Sequence, residues 1–376
     1  MTWEPFEELS LAELRARTSV KWTMYDADVL PLWVAEMDAM PPASVVEAVT
    51  AAMTSGNTGY PSPRPTYAEA FARVAARRWG WEVDVAATSV AADVINAMRY
   101  LVTELAPPGG AVVIPAPVYP PFFMVVEEAG RTVVPAPLSP DHRLDAGAID
   151  RALAESGATV VLLCSPHNPT GTVHTADELA AVDAVARARG ATVVVDEIHA
   201  LLVPQGTTFT PYLTVAEHGL VVTSASKAYN LAGLKAGIVL AGPASAGVVS
   251  ALPESVHYGA SLLGCIAHEA AWDGGDAWID AVNASIRANA GHLAGLLAER
   301  LPRAHLVEPA STYLAWVDCR DLGLGDDPAA AFLERGRVAL NSGPTFGPGG
   351  AGHARINIAA SRSTLAEAVD RMAASL

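Results

Sequence analysis

Cysteine is scarce in this chain of 376 residues, and the three that occur follow no pattern. Cys164, Cys265 and Cys319 are odd in number and far apart, which argues against a disulfide framework and fits a reducing compartment. The acidic segment 1–8 has neither the basic region nor the apolar core of a signal peptide. We therefore expect a cytoplasmic protein.

Basic residues are also few, since 24 lysines and arginines stand against 40 aspartates and glutamates, a formal net charge of −16. Nucleic acids and anionic membrane surfaces bind basic faces, so we expect neither as a partner. No apolar run reaches the about 20 residues of a membrane-spanning helix, because glycines and a proline interrupt the longest low-charge stretch, 236–252. A small-molecule substrate is compatible with this charge, since a locally basic pocket can exist inside an acidic protein.

Paired metal-ligand motifs are missing as well. Cys164, His167 and His199 form neither a C-x-x-C nor an H-E-x-x-H pattern, so we expect no metal ion. The glycine-rich segment 347–352 matches G-x-G-x-x-G, but it leads into a predicted strand instead of opening a helix. That context argues against a dinucleotide site.

Apolar residues, in contrast, make up 51% of the chain, and they are arranged in a regular way. Short apolar runs alternate with alanine-rich helical patterns, which predicts an α/β fold with a mostly parallel sheet covered by helices. The C-terminal part mixes a long helix, 277–299, with short strands and helices, which predicts a smaller α+β domain. The predicted strands of the sheet are 111–114, 132–134, 159–163, 192–195, 220–224 and 237–240.

Lys227 is the most informative single residue, because it follows the apolar run 220–223 and precedes a stretch of small residues. Burial there would favour loss of the ammonium proton. A deprotonated lysine amine attacks carbonyls and forms Schiff bases, including the one that holds pyridoxal phosphate (PLP). A lysine alone is more often a solvated surface charge. The interpretation therefore depends on three companions: Asn168 after a predicted strand, Asp196 at the end of one, and Arg355 within one.

In this order, these residues resemble the fold-type I PLP enzymes of the class I/II aminotransferase superfamily, and within it the MalY/PatB-type cystathionine β-lyases, which are C–S lyases. The resemblance extends from about residue 21 to about residue 371. It implies PLP as the cofactor, an amino acid as the small-molecule substrate, and a homodimer with the active site at the interface. It also places 1–47 with 277–376 in the small domain, which leaves 48–276 as the large PLP-binding domain. The narrower resemblance lies in Lys21-Trp22, 30–38, Gly59-Tyr60, 117–122, 165–169, 196–199 and 224–227.

The resemblance implies roles for the residues around the cofactor ring. Lys227 is the attachment and catalytic residue. Asp196 stabilises the protonated pyridine nitrogen, although alone it would be a helix cap or a loop acid. Asn168 donates to the phenolic oxygen, although Asn-Pro is also a common turn signal. His199 stands where many aminotransferases have tyrosine, and it either contacts the same oxygen or is a core histidine. Tyr119 either stacks on the ring or packs in the core.

Four further residues match positions that bind the phosphate, the substrate or the partner subunit in the resembled family. Ser224 and Lys235 reach the phosphate through a hydroxyl and a charge. Arg355 binds the α-carboxylate of the substrate, for which a guanidinium fork is better suited than an ammonium group. Tyr60 crosses from the partner subunit.

Backbone N–H groups are also expected at the phosphate, from Ala91 and Ala92. We expect the segment 88–92 to open a helix with Ser89 as its N-cap, because helix N-termini bind phosphate. The resembled family often carries glycine in this segment, and Asp93 is a poor neighbour for a dianion. The exact phosphate contacts therefore stay open.

The function implied is a C–S β-lyase that acts on cystathionine or related L-cysteine S-conjugates and gives a thiol (homocysteine), pyruvate and ammonia. The alternative is an aminotransferase of L-amino acids, because the two reactions share these site residues. Only the narrower resemblance, above all the segment 30–38 and His199, favours the lyase. A further protein-binding, regulatory role is compatible with the sequence.

Overall fold

The computed structural model describes residues 3–61 and 65–376 of the chain. Its β-strands are β1 Leu30–Pro31, β2 Thr88–Ala91, β3 Ala111–Ala116, β4 Thr132–Pro137, β5 Val160–Cys164, β6 Thr192–Asp196, β7 Leu220–Thr223, β8 Gly237–Ala241, β9 His305–Val307, β10 Leu314–Asp318, β11 Val338–Ala339, β12 Asn341–Ser342 and β13 His353–Asn357. Its α-helices are α1 Leu11–Arg15, α2 Val20–Thr23, α3 Ala43–Thr54, α4 Thr66–Trp79, α5 Val94–Leu105, α6 Pro121–Glu128, α7 Ala146–Ser156, α8 Ala176–Ala188, α9 Ala246–Ala251, α10 Ser255–Tyr258, α11 Leu262–Gly274, α12 Asp276–Arg300, α13 Pro328–Gly336 and α14 Arg362–Ala374.

The largest sheet has seven strands in the order β2-β8-β7-β6-β5-β3-β4. The five strands from β7 to β4 in this order are parallel, whereas β8 is antiparallel to both β7 and β2. The predicted α/β fold with a mostly parallel sheet is confirmed. The predicted strands correspond to β3 through β8, with small differences at their ends.

This sheet forms because its central strands are apolar along their whole length. Every residue of β5 and β7 is buried, which requires cover on both faces. Alternate side chains point to opposite faces. Leu162 and Val194 belong to the core with α5 and α6, whereas Val161 and Val195 belong to the core with α7 and α8.

A second sheet, β12-β13-β10-β9, is antiparallel and lies in the C-terminal part of the chain. Strand β1 pairs in parallel with β11, which brings the N-terminal segment against that part. This pairing is compatible with a small domain made of 1–47 and 277–376, and the division stays a prediction.

The structure also bears on membranes, metals and thiols. None of the described helices combines the length and the apolar character that crossing a bilayer requires. Residues 3–61 and 65–376 contain no cluster of three or more His, Cys, Asp or Glu side chains arranged to hold a metal ion. Cys164, Cys265 and Cys319 are free and buried.

Candidate active site

The carboxyl ends of three neighbouring parallel strands bring the predicted cofactor residues together. Asp196 ends β6, Asn168 lies in the turn after β5, and Lys227 lies in the turn after β7. In open α/β sheets, ligands bind at this edge. A cavity of about 150 Å³ opens there. Its lining includes Tyr119, Asn168, Asp196, His199, Lys227 and Lys235.

Lys227 contributes an amine that loses its proton easily. Its Nζ donates a hydrogen bond to the carbonyl of Ala35, at 3.2 Å. Burial, together with the positive charge of Arg355, lowers the pKa of Lys227 to about 8. At pH 7 about one amine in ten is therefore neutral, against fewer than about one in a thousand for an exposed lysine. A neutral amine is the nucleophile that Schiff-base formation requires.

Asp196 is a buried carboxyl group in the same cavity. It accepts a hydrogen bond from the backbone N–H of Ile198, at 2.9 Å. Burial raises the pKa of Asp196 to about 7, although this hydrogen bond and the charge of Lys227 oppose the shift. A cationic group bound next to such a carboxyl would stabilise its charged form.

Arg355 is a buried cation on β13, with 1% of its surface exposed. Its Nη1 donates to Oδ1 of Asn168 at 3.0 Å, and its Nη2 donates to the carbonyl of Trp33 at 2.9 Å. The guanidinium carbon lies 5.2 Å from the centre of the Phe346 ring. Burial lowers the pKa of Arg355 to about 10. Its Nε has no hydrogen-bond partner among the described residues, so the group can still bind an anion.

Asn168 is oriented by this contact. Because its Oδ1 accepts from Arg355, its Nδ2 is the end that can donate to a ligand. Its backbone carbonyl accepts from the N–H of Tyr119 at 3.1 Å, which fixes the start of α6 beside the cavity. Burial raises the pKa of the Tyr119 phenol, so this side chain is neutral.

His199 lines the cavity as a neutral imidazole. Burial, with the positive charges of Lys227 and Arg355, lowers the pKa of His199 to about 3. Its Nδ1 is buried and lacks a hydrogen-bond partner in the described part of the chain. Buried polar groups are normally hydrogen-bonded, so this nitrogen favours a contact with a bound group over a purely structural role.

The segment 88–92 does not open a helix, contrary to the prediction. Its first four residues form β2, which pairs with β8, and Asp93 is the N-cap of α5. The hydroxyl oxygen of Ser89, the predicted cap, instead lies 3.2 Å from Nδ1 of His257. The β-branched Thr88 and Val90 alternate with more buried residues, which is a strand pattern.

Lys235 lines the cavity, but its amine already has a partner. Its Nζ forms an ion pair with Oδ2 of Asp93, at 3.0 Å. The Asp93 carboxylate is therefore a competitor for any phosphate that binds this lysine.

Four predicted cofactor residues lie outside the lining of this cavity. Ser224 donates its hydroxyl to the carbonyl of Ala236, at 2.7 Å. Ala91 and Ala92 precede the N-cap of α5. Tyr60 is 88% exposed and lines a second cavity, of about 570 Å³. Their roles toward a cofactor stay predictions.

Two polar residues that hold the cavity wall were missing from the prediction. The hydroxyl of Tyr313 donates to the carbonyl of Ala35 at 3.1 Å. Nδ2 of Asn357 donates to the carbonyls of Val34 and Glu36 at 2.8 and 2.6 Å. Both are buried polar residues within apolar strand patterns, and a polar residue at a buried position is the signal that would have identified them.

Comparison with known proteins agrees with this geometry. Residues 27–372 match the family described as Aminotransferase class I and II. The chain belongs to that family. The predicted membership of the class I/II aminotransferase superfamily is thereby confirmed.

Known proteins are similar to the chain over almost its whole length. A Mycobacterium tuberculosis protein provisionally named cystathionine β-lyase is 46% identical over 99% of this chain and 98% of its own. Cystathionine β-lyase PatB of Bacillus subtilis is 31% identical over 95% of this chain and 96% of its own. A crystal structure of a Corynebacterium diphtheriae protein, provisionally described as a PLP-dependent β-cystathionase, has a TM-score of 0.93 at 33% identity and 98% coverage of both chains.

Proposed function

We propose that this protein is a PLP-dependent C–S β-lyase that acts on cystathionine or a related L-cysteine S-conjugate and releases a thiol, pyruvate and ammonia. The observation that carries the proposal is the pairing of a lysine of lowered pKa, Lys227, with the buried carboxyl of Asp196 in one cavity. Full-length similarity to proteins named cystathionine β-lyase supports the lyase over the aminotransferase.

The residues of the cavity fit PLP. Lys227 can attach the aldehyde carbon of PLP, and the carboxylate of Asp196 can balance the charge of a protonated ring nitrogen. Nδ2 of Asn168 and the imidazole of His199 can contact the phenolic oxygen, and Tyr119 can stack on the ring. When bound, PLP supplies an electron sink for the negative charge that develops at the α-carbon of the substrate.

The phosphate group would lie at the end of the cavity near Lys235. That lysine supplies a positive charge, and the first turn of α5 supplies backbone N–H groups. Ala91 and Ala92 directly precede the N-cap of α5, and the hydroxyl of Ser224 binds the carbonyl of Ala236, next to Lys235, so we assign all three to the same group. Phosphate binding would require Lys235 to exchange its contact with Asp93.

The chain's own side chains then position the substrate and move its proton. The guanidinium of Arg355 binds the α-carboxylate, since its forked donors match two carboxylate oxygens. The amine of Lys227 takes the α-proton as general base, and a pKa of about 8 suits that task near neutral pH. Departure of the β-thiolate then distinguishes the lyase from an aminotransferase.

The decisive experiment supplies the PLP-loaded protein with L-cystathionine and no 2-oxo acid. We expect pyruvate and free thiol in equal amounts, measured with lactate dehydrogenase and a thiol reagent. Lys227→Ala is the matched control and should form neither. Turnover that appears only after a 2-oxo acid is added would assign the aminotransferase instead.

The cofactor linkage can be tested separately. Borohydride reduction of the loaded protein, followed by peptide mass spectrometry, should add the mass of reduced PLP to the peptide that contains Lys227. An added mass on another peptide, or none, would overturn the assignment.

We further infer that the protein is a homodimer with its active site completed at the interface. The support is Tyr60, which is 88% exposed beside a large cavity that also contains the half-exposed Tyr258. Exposed aromatic surface of this kind marks interaction sites. The cytoplasmic location and the division at 48–276 stay predictions.

Mixing two inactive variants tests this arrangement. In a heterodimer of Lys227→Ala with Tyr60→Ala, one of the two sites would combine an intact Lys227 with an intact Tyr60 from the other subunit. Activity recovered on mixing supports the shared site. Sedimentation as a monomer, or no recovery in a confirmed heterodimer, contradicts it.

A further inference from the structure

The wall segment, residues 33–38, follows β1 and forms one side of the active-site cavity through Ala35. Its backbone lies outside the helices and strands, so its carbonyls need other partners. Side chains from distant parts of the chain supply them. The contacts are Arg355 to Trp33, Asn357 to Val34 and Glu36, Lys227 and Tyr313 to Ala35, Lys21 to Glu36, and Asn230 to Met37.

Lys21 holds the far end of the wall segment. It lies in α2, and its Nζ is 2.6 Å from Oδ1 of Asp38 and 3.1 Å from the carbonyl of Glu36. The exposed fractions of the Lys21 and Asp38 side chains are 0% and 1%. Removing one partner of a buried ion pair leaves the other charge uncompensated, which is strongly unfavourable. The pair therefore constrains the backbone between Glu36 and Asp38.

The use of lysine in this chain singles out the same residue. The sequence contains three lysines and 21 arginines, so arginine carries nearly all of the positive charge. Two of the lysines, Lys227 and Lys235, line the cavity. The third is Lys21, which does not line the cavity and binds the segment that does. A compact ammonium group can donate to a carboxylate and a carbonyl in one small space, where a planar guanidinium has a different geometry.

We propose that Lys21 is a positioning residue of the active site. Through Asp38 and the Glu36 carbonyl it holds the wall segment in place. The wall segment in turn presents the Ala35 carbonyl to Lys227 and the Trp33 carbonyl to Arg355. The kinetic part of this inference rests on the proposed lyase function, whereas the structural part does not.

The test compares Lys21→Met with Arg337→Met. The control variant loses exposed ion pairs to Asp26 and Asp28 in the same N-terminal region but leaves the wall segment untouched. Amide hydrogen exchange by mass spectrometry on the PLP-loaded protein should be at least about tenfold faster in the peptide that covers 33–38 of Lys21→Met. The control should exchange there like the wild type.

Kinetics give a readout that a merely structural role would not change. Because Arg355 binds the substrate carboxylate, Lys21→Met should raise KM about tenfold and change kcat less, whereas Arg337→Met should change neither. Unchanged exchange at 33–38, or faster exchange of all peptides to the same extent, would overturn the inference. So would a loss of kcat at constant KM.

Two further variants keep the test decisive. Asp38→Asn retains the shape of the side chain and removes its charge, so it replaces Lys21→Met if that variant does not fold. Lys21→Arg should fail to restore wild-type exchange, and full restoration would contradict the requirement for lysine. If the wild-type protein releases no thiol from cystathionine, the proposed function fails, and the exchange experiment still decides the role of Lys21.

Discussion

Asp196→Asn should make the PLP-free protein more stable, and more so at pH 8 than at pH 5. Burial raises the pKa of Asp196 to about 7 in the folded protein, against about 3.9 for a free aspartate. Between these values the folded state binds the proton more tightly than the unfolded state. Stability therefore falls as the pH rises from about 4 to about 7, and the full cost is present above pH 7. Asparagine does not titrate, so the variant lacks this cost.

The size of the effect follows from the free energy of one pKa unit, about 1.4 kcal/mol. Above pH 7 the burial of this group lowers the free energy of unfolding by about 4 kcal/mol. At pH 5 the folded protein keeps the group protonated while the unfolded chain ionises it, and the loss is about 1.5 kcal/mol. The advantage of Asp196→Asn should thus grow by about 3 kcal/mol between pH 5 and pH 8. The amide oxygen can still accept from the N–H of Ile198, so this hydrogen bond is retained.

Urea unfolding of the PLP-free proteins at the two pH values measures this difference. Asp150→Asn is the matched control, because the hydrogen bond from Arg189 lowers the pKa of Asp150 and reverses the sign of the effect. That variant should gain no stability at pH 8. PLP should stabilise the wild type more than Asp196→Asn, because only the carboxylate balances the charged ring nitrogen. An advantage of Asp196→Asn that is equal at both pH values would refute the reasoning.

Three further predictions concern Lys227, which lines the cavity, and Arg355 and Tyr313, which lie behind its lining. The rate of PLP uptake should rise about tenfold per pH unit up to about pH 8 and then level off, because the pKa of Lys227 is about 8. A rate that keeps rising to pH 10 in stopped-flow measurements would contradict this. Arg355→Met should raise KM for the amino-acid substrate about a hundredfold in steady-state assays, since two charged hydrogen bonds are lost, and Arg355→Lys should recover only part. Tyr313→Phe should lower the free energy of unfolding by about 1 kcal/mol, measured by thermal unfolding, because the Ala35 carbonyl loses one donor. Mass spectrometry should still find PLP attached to Lys227 in this variant.

The central sheet and its ligand edge could be predicted because their signals are local. β5, β6 and β7 are short apolar runs, and each is followed directly by polar residues. Parallel strands align their carboxyl ends, so Asn168 and Asp196, which are separate in sequence, lie at one edge. The order of elements was therefore sufficient to bring them together with Lys227.

The start of α5 and the wall segment could not be predicted, because their surroundings are distant in sequence. Thr88-Ser89 before an apolar stretch has the composition of a helix start, and it is a strand because Val90 pairs with Ile238 of β8. The carbonyl of Ala35 meets Lys227 across 192 residues. Every residue has a backbone carbonyl, so such a contact leaves no mark in the residue types.

The wall segment has a consequence for the order in which the enzyme matures. The hydrogen bond between Arg355 and the Trp33 carbonyl joins residues 322 positions apart. A ribosome releases the wall segment long before it releases β13, and a still later residue, Ala359, also binds the segment, because its carbonyl accepts from the N–H of Asp38 at 2.9 Å. The cofactor pocket of a nascent chain therefore lacks a fixed side until residue 359 has left the exit tunnel, and loading with vitamin B6 has to wait for that step.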